Sequence, residues 1–377
     1  MRLLPLIVFA MAGSLIAGEP PPAYPLWDGS ESVADYAKKV NLPPTKTLDL
    51  GNGVKMELVL IPAGKFVMGT PEPTPVDEEG FHGKIVTGQA LLATSTVALL
   101  AMLLFVVIRA VRKKRRPQLS LGLLLLVTIA AGGCVLSGVH WRQSVRALEQ
   151  AKVEYAASRA RYTVADKEEK PAHTVTLTQP FYMAKFLVTQ EQYQQVMGAN
   201  PSTFKTSKDN PVDSVSWNDA QEFCKKLTTL APNPSTTRGR LPTDAEWEFS
   251  CRAGTTTTYY SGDAEKDLGR VAWYDGNSKN TTHPVGQKAP NAFGLYDMHG
   301  NLWQWCQDWF EYDYYAKSPP ENPENLAPSA AGRVLRGGNW GGGIKECRST
   351  LRGGVIPDGR TECFGFRVVV PVAPRTP

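Results

Sequence analysis

Residues 294–309 read GLYDMHGNLWQWCQDW, and the reading of this stretch decides the fold. Three tryptophans, Trp303, Trp305 and Trp309, follow a turn built from Asp297, Gly300 and Asn301. Side chains alternate along a strand, so Trp303 and Trp305 point the same way and fill one side of a core. The turn admits two readings. Asp297 is a hard oxygen ligand, the Gly300–Asn301 turn can aim backbone carbonyls beside it, and Gln304 adds an amide oxygen. That set suits calcium, although Gln304 is a weaker ligand than a carboxylate. An Asx-type turn ahead of a buried aromatic strand uses the same residues and binds nothing.

Outward from this stretch, regular structure is sparse. From Arg252 onward the chain is mostly Gly, Thr, Asn and aromatic residues, which predicts loops and short strands up to a buried final strand, Gly365–Val370. Upstream, Thr189-x-x-Gln192 and Thr243-x-x-Glu246 fit the capping box, and Ser216-x-x-Asp219 nearly does. They predict helices over Gln190–Met197, Asn218–Leu230 and Asp244–Cys251, with Pro242 at the approach to the third. HTVTLTQPFYMAKF (173–186) and residues 54–69 alternate like strands. The result is an α+β domain low in regular structure. Composition agrees. Charged residues are 20%, with 33 Gly and 29 Pro among 377 residues, which favours a loop-rich globular protein over a coiled coil or a disordered chain. The net charge of +5 is small and much of it sits in Arg112–Arg116, so no nucleic-acid partner is expected.

Two stretches do not belong to such a domain. Ile85–Ile108 carries no charge, Leu119–Val139 carries none, and each is long enough to cross a bilayer. Between them, residues 109–118 hold Arg109, Arg112, Lys113, Lys114, Arg115 and Arg116. Two buried core helices could not carry six cations between them. The pattern predicts a transmembrane hairpin whose basic loop stays in the cytoplasm. Residues 1–18 have the pattern of a secretory signal peptide, or of an uncleaved N-terminal anchor. Both signals place the remainder on the extracytoplasmic side, periplasmic or extracellular. Residues 19–47 read as a Pro-rich linker with one short helix at Val33–Val40. Residues 140–165 read as an amphipathic helix that could be a stalk, a self-pairing segment or a helix packed on its own domain. The hairpin is then an insertion in one domain formed by residues 48–73 and 168–372, and its ends must lie close together.

GLYDMHGNLWQW resembles the signature of the formylglycine-generating enzyme, or sulfatase-modifying factor, family. Other segments match in the family's order: IPAGKFVMGT at 61–70, VTLTQPFYMAKFLVTQEQY at 175–193, PVDSVSWNDAQEFC at 211–224, RLPTDAEWEFSCRAG at 240–254, RVLRGGNW at 333–340 and GFRVVV at 365–370. The resemblance implies a compact C-type-lectin-like variant of the α+β class. It also implies a calcium site at Asp297, the carbonyls of Gly300 and Leu302, and Gln304, which stands where the family has Glu. A second calcium site would draw on residues 272–286, where Asp275 and Asn277 are weak candidates. In the family's enzyme, two cysteines after an RGG segment bind copper(I) and oxidise a substrate cysteine of a sulfatase to formylglycine. Cys347 matches the second of them. The first falls on Gly342, and the family's serine after RGG falls on Asn339. Copper(I) prefers soft thiolates, and a lone thiolate would hold it poorly.

Five cysteines, Cys224, Cys251, Cys306, Cys347 and Cys363, fall on the oxidising side of this topology, so at most two disulfides form and one thiol is left. Cys134 falls within a spanning helix. Cys347 is read either as the catalytic thiol or as a structural one, and Cys363 could approach it. No HExxH, P-loop or GxSxG occurs. His299 is expected to be a solvent-facing turn residue. Two functions remain: a non-catalytic, calcium-steadied module that binds a peptide, a protein such as a sulfatase or a glycan, and an active formylglycine-generating oxidase that uses Cys347.

Overall fold

Three helices begin on reciprocal caps written in the sequence. In the computed structural model, which describes residues 24–73, 75–112, 121–164, 166–230 and 238–372, Thr189 Oγ1 accepts from Gln192 N at 3.2 Å and the Gln192 side chain accepts from Thr189 N at 3.0 Å. Thr243 and Glu246 repeat the pattern at 3.1 and 2.9 Å. Ser216 and Asp219 do the same at 3.1 and 2.9 Å, so the near match is a working cap. Each cap satisfies amides that the first helical turn leaves orphaned.

The elements in chain order are α1 (Val33–Val40), β1 (Thr45–Gly51), β2 (Val54–Ile61), β3 (Gly64–Met68), α2 (Glu78–Arg112), α3 (Leu121–Val164), β4 (His173–Leu177), β5 (Phe181–Ala184), α4 (Gln190–Met197), α5 (Trp217–Leu230), α6 (Asp244–Arg252), α7 (Glu265–Val271), β6 (Trp303–Trp309), β7 (Arg333–Arg336), β8 (Arg352–Val355), β9 (Phe364–Gly365) and β10 (Val369–Pro371). The class is mixed α and β. One four-stranded sheet has the order β1-β2-β5-β10, a second has β8-β7-β6-β9, and β3 pairs with β4. The run LVLI at 58–61 is apolar without a break because β2 is buried on both faces: Leu58 and Leu60 join the core with Phe223 and Trp305, while Val59 and Ile61 join the core with Trp247 and Phe249.

Two expectations need correction. Residues 24–47 are not a linker. Trp27 N donates to Ala63 O at 2.7 Å, its ring meets Phe293 edge-on at 5.0 Å, and Tyr36 is fully buried with its hydroxyl donating to Pro25 O. These partners are distant in sequence, so composition alone could not show them. The final strand Gly365–Val370 is divided. β9 runs parallel to β6, β10 runs antiparallel to β5, and Arg367 between them turns inward to donate to Ala184 O at 2.9 Å.

The chain divides into two compact units, Met1–Gly69 with His173–Pro377, and Thr70–Ala172. Within the first, β3 and β4 are antiparallel from Gly64↔Leu177 to Met68↔His173. Within the second, Thr70 N donates to Glu169 O at 3.0 Å, closing the neck. α2 and α3 are antiparallel: Lys152 reaches Glu78 at 3.4 Å, Gly88 lies against the Trp141 backbone and Gly138 against Leu92. Among the described residues one stretch, Glu78–Phe105, is long and apolar enough to cross a membrane. Lys113–Ser120, which holds most of the basic loop and the start of the second expected span, lies outside the described residues, as does the expected signal peptide 1–18. The two-span hairpin is therefore not shown. The expected helix at 140–165 is the continuation of the preceding one, since α3 runs without interruption from Leu121 to Val164.

Candidate functional site

Three loops of the first unit meet on Asn301. It adopts a left-handed conformation, φ 61°, which Asn tolerates better than most side chains. Asn301 N donates to Trp273 O at 2.8 Å, and Asn301 O accepts from Trp340 N at 3.0 Å. Its side chain accepts from His283 N at 3.1 Å and donates to His283 O at 3.0 Å. One residue thus ties the 273, 283 and 340 loops together. Gly300 is required beside it: its φ is 69°, and an added Cβ would lie 2.1 Å from Trp273 O. Half-buried aromatic rings surround this hub. Trp273 stacks on His283 at 3.8 Å with Lys288 Nζ 4.0 Å from the Trp273 ring, and Trp340 packs edge-on to Phe204 at 5.3 Å.

The residues expected to hold calcium lie together below this hub, but they face hydrogen-bond donors. Asp297 is buried, and its carboxylate accepts from Gly286 N at 2.8 Å. Burial raises its pKa, against the lowering effect of that bond and of Arg367. Asp297 O accepts from Gln304 Nε2 at 2.9 Å and Arg367 Nη2 at 3.2 Å. Gln304 Oε1 accepts from Arg367 Nε at 2.7 Å and Trp247 Nε1 at 2.8 Å. Gly300 N bonds to Gly337 O at 2.7 Å, and Leu302 is buried against Gly365. A guanidinium and an indole N–H already use Gln304 Oε1, one of the four expected ligand atoms, and a second cation beside Arg367 would be repelled. As arranged, the Gln304 amide oxygen is not free to bind calcium. Asp275 is exposed, and Asn277 spends its side chain on Tyr274 N and Ala272 O at 3.0 Å each. Arg367 and Trp247 were not foreseen. The only signal was an arginine inside the apolar run GFRVVV.

Cys347 is fully buried in a small cluster with Tyr259, Leu268 and Tyr274. Burial pushes its thiol pKa well above the usual range, and Glu346 and Asp275 push it the same way. Gly342 sits under a carboxylate: a Cβ there would meet Glu346 Oε2 at 2.4 Å. Asn339 accepts from Gly341 N at 2.7 Å and so shapes the same turn. Cys224, Cys251, Cys306, Cys347 and Cys363 are all free, so the structure shows no disulfide among them. One buried thiol with no second thiolate beside it in the RGG segment does not fit copper(I).

His299 is the opposite of a solvent-facing residue. It is fully buried, stacked on Tyr260 at 4.8 Å, and its Nε2 accepts from Tyr260 N at 3.1 Å. Burial lowers its pKa to about 3, so the ring is neutral. Cys251 Sγ lies 3.8 Å from the same ring. Its burial is set by Tyr259 and Tyr260, which lie some 40 positions earlier in the chain and leave no mark on the turn's own sequence.

Residues 135–372 match the family described as the sulfatase-modifying factor enzyme 1-like domain. The chain is 31% identical over 241 residues to chaperone protein LppX of Paenibacillus barcinonensis, covering 52% of this chain and 81% of that one. It is 35% identical over 173 residues to the formylglycine-generating enzyme of Streptomyces coelicolor, covering 42% of this chain and 52% of that enzyme. It is 34% identical over 160 residues to serine/threonine-protein kinase pkn1 of Chlamydia pneumoniae, but spans 23% of that protein. Among solved structures, PvdO from Pseudomonas aeruginosa superposes with a TM-score of 0.56 at 21% identity, covering 88% of this chain and 99% of that one. Variable protein 1 of Treponema denticola gives 0.55 at 24% identity, covering 87% and 99%. At those identities the likeness concerns the fold alone.

Proposed function

The chain belongs to the sulfatase-modifying factor family, and we propose that within it this chain is a membrane-anchored, lectin-like module that binds a protein partner without oxidising it. One observation carries this reading. Where the family's first copper-binding cysteine is expected, Gly342 lies under the Glu346 carboxylate, and the remaining Cys347 sulfur is buried in an apolar cluster. An oxidase needs an accessible soft-ligand pair for the oxygen-activating metal, and this loop offers one shielded thiol.

A polypeptide is the partner that the loop face suits. Half-exposed Phe204, Trp273, His283 and Trp340 present rings with polar edges, a composition enriched in protein interfaces. The relative covered over most of its length is named a chaperone, which also points to a protein partner, and a sulfatase is the partner class the family suggests. Anchoring rests on Glu78–Phe105 and on the exposure of Val97, Leu100 and Leu104. The basic run after Arg109 would hold the tip in the cytoplasm and the domain on the other side.

The test is to co-express the full chain with a sulfatase peptide carrying a CxPxR core, supply copper, and examine the peptide by mass spectrometry. The cysteine is expected to stay unmodified. Formylglycine that disappears in Cys347→Ser would overturn the reading in favour of the oxidase. Binding is checked separately with a photo-crosslinking amino acid at Trp340, which is expected to capture a polypeptide.

A further inference from the structure

A second concavity lies elsewhere on the first unit and shares no residue with the Asn301 hub. Its volume is about 300 Å³, and its walls include Leu177, Phe181, Pro180, Pro371, Arg240 and Glu324. That is the low end of the range for small-molecule sites, about 300–1,000 Å³, and suits one side chain better than a whole cofactor.

The fold builds it from paired backbones. Phe181 and Pro371 are cross-strand partners on β5 and β10. Arg240 and Val369 exchange backbone hydrogen bonds at 2.9 and 2.7 Å, which sets Arg240 beside β10. On the opposite wall, Thr176 N donates to Pro320 O at 2.8 Å and Asn322 N to Thr176 O at 2.9 Å, so the segment that carries Glu324 runs along β4.

The charges within the lining do not cancel. Arg240 grips both oxygens of Glu246 at 2.6 Å each, and Thr243 N adds a third bond to that carboxylate at 2.9 Å. Glu324 makes no hydrogen bond to any described residue. Burial raises its pKa, while Arg240 and Arg333 lower it and Glu246 raises it further. Glu324 is partly exposed, so its carboxylate is open to a donor that enters the pocket.

We propose that this pocket receives the guanidinium of an arginine side chain presented by a partner polypeptide, with Glu324 as its counter-ion. Phe181, Pro180 and Pro371 would hold the aliphatic stem. A guanidinium is more weakly hydrated than an ammonium and stacks on aromatic faces, which favours arginine over lysine in such an apolar slot.

The test uses the full-length protein in detergent and titrates N-acetyl-arginine amide against N-acetyl-citrulline amide, which keeps the shape and removes the charge. Ligand-detected NMR is expected to show arginine binding at least tenfold tighter than citrulline, and Glu324→Gln is expected to remove that preference with an unchanged melting temperature. Equal binding of the two ligands to the unaltered protein would overturn the proposal, whether or not the variant folds. So would a full preference kept by Glu324→Gln. Binding that appears only after truncation beyond Val372 would also overturn it, because the occupant would then be Arg375 of this chain.

Discussion

The two units of this chain invert each other. In the unit holding the sheets, charges are inside: Arg336 and Arg367 are fully buried, and Arg336 donates to Glu248 at 2.9 Å, Tyr315 at 2.7 Å and the Ser349 and Thr350 carbonyls at 3.1 and 3.0 Å, besides its bond to Asp244. In the helical unit, apolar side chains are outside: Leu136, Val97, Leu100 and Leu104 are exposed by 72, 65, 61 and 60%. A loop-rich fold with little regular backbone uses buried guanidinium groups to satisfy its irregular carbonyls. A helical pair satisfies its own backbone and can leave its side chains to the surroundings, which is what a lipid phase demands. Each unit thus matches a different solvent, water in one case and, in the reading proposed above, hydrocarbon in the other.

The contrast can be attacked first where it is strongest. Arg336→Met takes one of two guanidinium partners from each of Asp244 and Glu248, which keep Arg352 and Arg252, and leaves the Tyr315 hydroxyl and the Ser349 and Thr350 carbonyls without their donor, so denaturant unfolding should show a loss of about 3–5 kcal/mol. A loss below about 1 kcal/mol would mean that the network holds little together. Next, Val97→Arg places a charge at the middle of the apolar run of α2. If that run lies in lipid, insertion should weaken by about 2.5–3.5 kcal/mol, read as a fall in the fraction that survives alkaline carbonate extraction. An unchanged fraction would place α2 outside the bilayer.

Gly88→Val sharpens the helical side. An added Cβ lies 3.2 Å from both Cα and Cβ of Trp141, so the variant should loosen the α2–α3 pair by about 1–3 kcal/mol. The yield of a disulfide between Leu92→Cys and Gly138→Cys measures it. His299 carries a pH dependence rather than a fixed loss. Its folded pKa of about 3 lies below the ordinary 6.5, so its contribution is complete above 6.5 and is lost as pH falls toward 3, because only the unfolded state takes the proton. The slope is about 1.4 kcal/mol per pH unit in that window. In His299→Phe the acid limb of the stability profile should flatten by that amount.

Legibility in the sequence followed distance along the chain. The helix starts at Thr189, Ser216 and Thr243 were readable because a capping box closes within four residues. The pairing potential of Trp303 and Trp305 was readable from their spacing, and Trp305 is fully buried. What failed was decided by partners far away. Trp27 and Tyr36 looked like parts of a linker because Ala63, Phe249 and Phe293 cannot be seen from them. Gln304 reads as an uncommitted amide because its bond to Arg367 spans 63 positions. The motif marks where these residues sit, while the hydrogen bonds they make are set by residues outside it.

The antiparallel ladder that ends at Met68↔His173 has a practical meaning. Its two strands leave that last rung side by side, a gap that a two-residue hairpin turn normally bridges. The helical segment therefore leaves and rejoins the chain of the first unit at one rung, so its exchange for another segment, or for a plain turn, need not disturb the ladder. In the reading proposed above, location and recognition can then evolve on separate schedules within one polypeptide.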